Sequence, residues 1–516
     1  MNFMKLTSLI ILLVCLASST ALASPPQAAN VDFAAIDKFI EAEMQAQRIP
    51  GLALGIVQGD QIVHLKGFGI ADPSGRAVTV QTPFIIGSLS KSFTALAIMQ
   101  LVEEGKVELD APVQRYLPWF RVADETASAQ ITVRHLLYQT SGLSTKTGRS
   151  FQGSGDVSDS ALEQTVRKLS EVELTGPVGV AYQYSTVNYS VLGLIVQTVS
   201  GQSYETYIQE HIFDLLEMHN SFTSQADAQP QGLATGYNYA FGIPMAVDLP
   251  HNRGLLPAGY LISSAEDMAH YLIAQLNDGR YEDAALLSSS GMVETHNPAV
   301  PTGVTDTFYG MGWVVGPING IPAVHHQGET FNFHANMILL PDRRQGIVVL
   351  INGENSMDLL FGTARIADIS EGVASLLAGQ QPPAPPANTS VWVVYNVLIG
   401  LIIVQVVGVI RSARKLQSGR LTEGRVKVGR QIVLPLMLNL VWALITLVGL
   451  PKIIFGLPLM IFSTGLPDLG YTLLVSGLIA LSWGVLRTTL AYSASKTRSK
   501  ANSLLMASEV AARTHK

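Results

Sequence analysis

Cysteine is almost missing from this chain: Cys15 is the only one in 516 residues, and it lies inside an N-terminal apolar run. Everything after that run is therefore without disulfides, thiol nucleophiles or cysteine metal ligands. Charge is sparse too, with 14% Asp, Glu, Lys and Arg against 48% hydrophobic residues, a balance unusual for a wholly soluble protein. The net charge of −6 is spread over the central region without long runs of one sign, so no nucleic-acid partner is expected.

The apolar excess is concentrated at the two ends. Residues 1–23 carry Lys5, an apolar run over 6–16 and Ala21-Leu22-Ala23, the order of a cleavable secretory signal. Val14 is too bulky for the usual lipoprotein processing site before Cys15, so no lipid anchor is expected. Residues 379–390 have the Pro-rich composition of an extended linker. Beyond it, 391–410, 431–450 and 469–487 are each long and apolar enough to cross a bilayer as a helix. The loop at 411–430 holds Arg411, Arg414, Lys415, Arg420, Arg425, Lys427 and Arg430 against one acid, Glu423, which places it in the cytoplasm by the positive-inside rule. The same parity puts the 488–516 tail in the cytoplasm and residues 24–378 outside. A fourth crossing within 451–468 would export the basic tail, so 452–466 reads as an interfacial or re-entrant loop. The expected location is a multi-pass cell-membrane protein with an extracytoplasmic domain.

The chain is too long for one ordinary core, and residues 24–378 read as one soluble α/β unit. Runs at 52–57 and 61–67 predict a β-hairpin, and runs at 334–340 and 346–352 a second one joined by Pro341-Asp-Arg-Arg-Gln. The 189–199 run is apolar at helical spacing and ends at Ser200-Gly201, a stop signal. Strands at both ends with helices between predict a sheet closed by its first and last segments.

The stretch at 84–101 places Ser88 and Lys91 where a helix begins. Phe93, Leu96, Ala97 and Leu101 recur at helical spacing, which predicts a helix from about residue 89 with one buried stripe. Ser88 at its N-terminal edge lies where unpaired N–H groups favour a developing negative charge. Lys91, one turn on, is suited to take or relay the hydroxyl proton. The spacing alone is weak: Ser412/Lys415 and Ser493/Lys496 repeat it in basic segments beside apolar runs, where the lysines read as membrane-flanking charges. Two further stretches add to it, Tyr182-Gln-Tyr-Ser-Thr-Val-Asn-Tyr and His325-His326-Gln-Gly-Glu-Thr-Phe-Asn-Phe-His.

With these elements the sequence resembles the serine β-lactamase and penicillin-binding-protein superfamily, specifically its class C β-lactamase-like branch of peptidases and esterases. The segments around Arg134-His-Leu-Leu-Tyr-Gln-Thr-Ser-Gly-Leu, Pro257-Ala-Gly-Tyr and Tyr309-Gly-Met-Gly-Trp strengthen the resemblance, which covers roughly 34–375. It implies an antiparallel sheet flanked by helices, a helical subdomain and, here, a three-helix membrane region after it. It implies that Ser88 is the acylated nucleophile, Lys91 its partner and Tyr184 an acid and base. Either Lys91 or Tyr184 has to be held unprotonated by the other's proximity, and the sequence leaves open which. His326-Gln327-Gly328 falls on the family's edge-strand motif, so the N–H of Glu329 joins that of Ser88 as the implied oxyanion hole, with Gly328 at the substrate's edge.

The departures bear on substrate. Thr186 replaces the Asn of Tyr-x-Asn, and Asn188 is two residues too far to stand in for it. Lys146-Thr147-Gly148 is a literal family triplet, but it precedes Tyr184 and no strand pattern follows. His326 stands where lysine is common; with a reference pKa near 6.5 it would be roughly one-quarter protonated at pH 7, a weak anchor for a carboxylate. Neutral peptides, amides or esters are therefore expected ahead of β-lactams or D-alanyl-D-alanine. His325, His326 and His334 lack the partners of a metal site, and neither metal nor organic cofactor is expected. The layout is also similar to that of the colibactin-maturing periplasmic peptidases, which implies, as an alternative, cleavage of an N-acyl-D-amino-acid prodrug with Asn332 and Thr186 contacting that group, Leu255 at the position of its recognition histidine and the neighbouring His251 as a substitute. A non-catalytic penicillin-binding sensor is a further alternative. The spans exceed what tethering needs, which raises a membrane partner such as a transporter.

Overall fold

Strand β1 (Gly51–Gln58) is buried everywhere but at its last residue, and it pairs on one side with β2 (Gln61–Gly69) and on the other with the last strand of the sheet, β8 (Gln345–Ile351). Between them in sequence come β3 (Val300–Pro301), β4 (Phe308–Tyr309), β5 (Val314–Ile318), β6 (Ile321–Glu329) and β7 (His334–Leu340). The spatial order is β2-β1-β8-β7-β6-β5-β4-β3, an eight-stranded antiparallel sheet closed across its first and last hairpins as expected. The computed structural model describes residues 31–151, 155–249, 251–357, 365–384, 389–417, 433–454 and 463–514. The expected signal at 1–23, most of the basic loop and part of the 451–468 loop lie outside the described residues.

Alternation explains the sheet's two cores. Leu52, Leu54, Ile56, Ile347, Val349 and Ile351 face helices α1 (Phe33–Gln47) and α5 (Arg365–Leu377), whereas Ala53, Val57, Val348 and Leu350 face the larger core. Opposite Ile56 and Val57 the pairing of β1 with β2 slips by one residue, a bulge that leaves Val63 of β2 without a partner on β1. Because both faces are covered, β1 and β8 read as continuous apolar runs.

The larger core holds α2 (Ser90–Glu103), α3 (Val187–Ser200) and α4 (Ala265–Leu276). Helix α3 stops at Gly201 in the left-handed region, φ 75°, as the Ser-Gly signal predicts. For α2 the expectation of a single buried stripe fails: Ser90 through Met99 are all buried. The helix runs through the interior between sheet and helical region, so its polar positions are buried as well as its apolar ones.

Three helices follow, α6 (Thr389–Gln417), α7 (Leu434–Leu444, continued as π-helix over Ile445–Ile454) and α8 (Pro467–Thr514). Segments Val391–Arg414, Leu434–Ile453 and Pro467–Ser493 are long and apolar enough to cross a membrane. Gln405 of α6 and Trp442 of α7 both donate to Ser476 Oγ of α8, at 2.8 and 2.9 Å, a polar knot joining all three. Val397, Val404, Leu438 and Leu444 are exposed around it.

Candidate active site

Ser88 lies in a single 3₁₀ turn, Gly87–Leu89, that feeds directly into α2. Gly87 has φ +54°, and a Cβ there would lie 2.5 Å from the backbone N of Glu329. A Cβ on Gly328 would lie 2.0 Å from the carbonyl oxygen of Ile86. Glycine at both positions thus lets the end of β6 press against the Ser88 turn and brings the Glu329 N–H beside the nucleophile's own backbone.

Lys91 Nζ donates to Ser88 Oγ at 2.9 Å and to the carbonyl of Ala258 at 2.5 Å. Tyr184 OH donates to the same Ser88 Oγ at 2.8 Å. Lys91 is fully buried, and among the described residues no carboxylate pairs with it. Burial without a counterion brings its pKa down to about 7, so near neutrality much of it is free amine. The rings of Tyr184 and Tyr189 also flank it, with centroids 4.9 and 5.8 Å from Nζ. Burial pushes the Tyr184 phenol far above its ordinary value, offset in part by its bond to Ser88, so Tyr184 keeps its proton. Of the two groups left open by the sequence, burial therefore favours the unprotonated form in the lysine and the protonated form in the phenol.

His326 contrasts with its expected partial charge. Burial, and then the charge of Lys91, bring it down to about 3, so it is neutral where the reference value made it one-quarter protonated. Its Nδ1 donates to the carbonyl of Gln327 at 2.6 Å, which leaves Nε2 to accept from Tyr309 OH at 3.3 Å. The ring is 6.2 Å from that of Tyr184, so it borders the site as a neutral wall.

Thr186 occupies the N-cap position of α3, two residues after Tyr184, makes no side-chain cap bond and stays partly exposed. Asn188 is buried, accepting from Ser141 Oγ at 2.7 Å and donating to Gln139 Oε1 at 2.5 Å. Lys146-Thr147-Gly148 lies in the short helix Thr145–Ser150, not on a strand. Asn332 is almost fully buried, with its carboxamide donating to Val247 O at 3.0 Å and accepting from Thr330 Oγ1 at 3.1 Å. His251 lines a cavity of about 850 Å³ with Glu205, Asp248 and Arg253, a lining that includes none of Ser88, Lys91, Tyr184 and His326. Leu255 is buried in the core. His334 Nδ1 pairs with Glu354 at 2.9 Å, away from His326's own partners, so the three histidines do not converge. Sequence reasoning gave no role to the Ala258 carbonyl or the Tyr309 hydroxyl. Pro257-Ala-Gly-Tyr and Tyr309-Gly-Met-Gly-Trp drew notice as motifs, but a backbone acceptor leaves no side-chain signature.

Residues 36–371 match the family model described as Beta-lactamase. Protein flp of Staphylococcus aureus strain MW2 is 30% identical over 324 residues, 61% of this chain and only 62% of that protein's length. Penicillin-binding protein 4 of Amycolatopsis lactamdurans is 27% identical over 358 residues, covering 66% of this chain and 90% of that one. Among solved structures, the octameric penicillin-binding protein homologue from Pyrococcus abyssi superimposes with a TM-score of 0.58 at 28% identity, over 69% of this chain and 79% of that one. The fold is thus the β-lactamase and penicillin-binding-protein α/β fold, and the chain belongs to the beta-lactamase family of serine-hydrolase-like proteins.

Proposed function

We propose that this chain is a membrane-tethered, extracytoplasmic serine hydrolase of the class C-like branch, which cleaves neutral amides, peptides or esters through an acyl-enzyme on Ser88. The observation that carries the reading is that one hydroxyl oxygen meets both an amine held near neutrality and a phenol held protonated. In acylation, neutral Lys91 takes the Ser88 proton as Oγ bonds to the carbonyl carbon. The carbonyl oxygen, now negative, is received by the N–H groups of Ser88 and Glu329. As the carbon–nitrogen or carbon–oxygen bond breaks, Tyr184 gives its proton to the leaving group and regains one from the neighbouring Lys91 ammonium. Water then attacks the ester by the same path in reverse, releasing the acid and restoring Ser88.

The neutral His326 supports uncharged substrates over anionic ones, since it supplies neither a cation nor a free N–H. The intact lysine and tyrosine support turnover over a stoichiometric sensor. Asn332, whose carboxamide is committed to Thr330 in its own loop and to Val247 beside it, gives no particular support to the N-acyl-D-amino-acid reading, so the broader substrate class is preferred. The three apolar helices and the basic 411–430 loop support a catalytic domain outside the membrane. Turnover of p-nitrophenyl esters and amino-acid anilides by the detergent-solubilised chain tests the reading. Ser88→Ala is expected to lose on the order of 10⁶ in turnover, and a variant that keeps its rate would sink the mechanism.

A further inference from the structure

The turn entering α8, at 463–468, packs on the catalytic unit beside the site. Asn238, fully buried, donates its carboxamide to the carbonyls of Thr464 and Gly465, both at 3.0 Å. Asp468 accepts from the N–H of Phe241. Gly465 lies so close to Phe331 that a Cβ would be 2.7 Å from the ring. Phe241 and Phe331 join Leu466, Leu469, Leu473, Val391 and Tyr395 in a small core that is shared by the membrane helices and the catalytic unit.

The hairpin Tyr237–Ala240 and Ile243–Ala246 that receives α8 also holds the loop after Glu329. Tyr237 N donates to Asn332 O at 3.1 Å, and Asn332 Nδ2 reaches Val247 O on the hairpin's far end. On its other edge the hairpin pairs with Gly353–Glu354, and Glu354 binds His334, the cross-strand neighbour of Glu329. The 330–333 loop is thus fixed between the hairpin and the α8 turn, two residues from the N–H that faces Gly87. A tether needs only the covalent link into α6; buried carboxamide bonds to a second membrane helix serve some other end.

We propose that the 463–468 turn is a positioning element for the oxyanion edge of the site. Docking of the third membrane helix fixes the loop at 330–333 and through it the Glu329 N–H, with Asn238, Phe331 and Gly465 as positioning residues. The inference rests on the serine-hydrolase reading above.

The test is stopped-flow labelling of the full chain in detergent by a fluorophosphonate, resolved into a binding constant and a maximal rate. Asn238→Ala and Gly465→Ala are expected to lower the maximal rate about tenfold or more with binding unchanged, since misplacement of a reacting group acts on the chemical step. Phe331→Leu, which removes the ring atoms nearest Gly465, is expected to restore the Gly465→Ala rate. Variants labelled at the wild-type rate would overturn the inference alone. So would a lower labelled fraction whose surviving molecules react at the wild-type rate, because the contact would then serve only folding. Failure of the wild-type chain to be labelled at Ser88 would overturn the hydrolase reading and this inference with it.

Discussion

Lys91 is buried with no carboxylate paired to it among the described residues, and most of the site's proposed chemistry follows from that. A lysine in water is almost wholly charged at neutral pH; one brought to about 7 by burial is half free amine there. In the proposed mechanism the active form is the deprotonated one, so fluorophosphonate labelling is expected to rise with pH through about 7 and then level off. Because Tyr184 keeps its proton far above its ordinary range, no falling limb is expected up to about pH 9. A profile that rises instead toward pH 10 would return the base role to tyrosine. Tyr184→Phe is expected to lose roughly 10²–10⁴ in turnover, the usual worth of a general acid, while the inflection near 7 stays in place. His326→Lys puts a cation on the neutral wall and is expected to tighten penicillin binding by roughly tenfold, as a charged partner for a carboxylate does. An unchanged penicillin affinity would remove the reason for favouring neutral substrates.

At the scale of elements, the site is a turn pressed against a strand end. Gly328→Ala would drive a Cβ to 2.0 Å from the Ile86 carbonyl, so β6 has to retreat from the Ser88 turn. That variant is expected to lose labelling by 10²-fold or more and to melt several degrees lower, the response of a tight backbone approach that cannot relax. Wild-type labelling in a folded Gly328→Ala chain would mean that the oxyanion edge lies elsewhere. The strands were legible because alternation and turn residues are local signals: 52–57 and 61–67 fall within β1 and β2. So were Ser88, Lys91 and Tyr184, which stand in short motifs on element boundaries. The charge state of His326 was not, because its pKa is set first by burial in the folded chain and then by Lys91, which is distant in sequence. Nor was the all-round burial of α2, since a stripe of apolar residues does not reveal that the opposite face is covered as well.

For the whole molecule, hydropathy located the three helices that are long and apolar enough to cross a membrane, because a bilayer imposes length and composition on each helix separately. It carried no trace of the α8 turn docking on Asn238 and Phe331, which depends on contacts between residues more than 100 positions apart. The cysteine-poor chain offers a direct check of topology. With Cys15 replaced by Ser, Ser418→Cys is expected to react with a membrane-impermeant maleimide only after permeabilisation, and Asp60→Cys in intact cells or spheroplasts. The reverse pattern would invert the orientation.

The central claim is an acyl-enzyme at Ser88 that favours neutral substrates. The most direct test is intact-protein mass of the full chain in detergent after separate exposure to a fluorophosphonate and to a penicillin, with Ser88→Ala beside it. The account predicts one fluorophosphonate adduct that vanishes in Ser88→Ala, with little penicillin adduct and no penicillin turnover. A lasting, Ser88-dependent penicillin adduct would make the chain a penicillin-binding sensor or cell-wall enzyme, and a fluorophosphonate adduct that survives in Ser88→Ala would contradict the account outright.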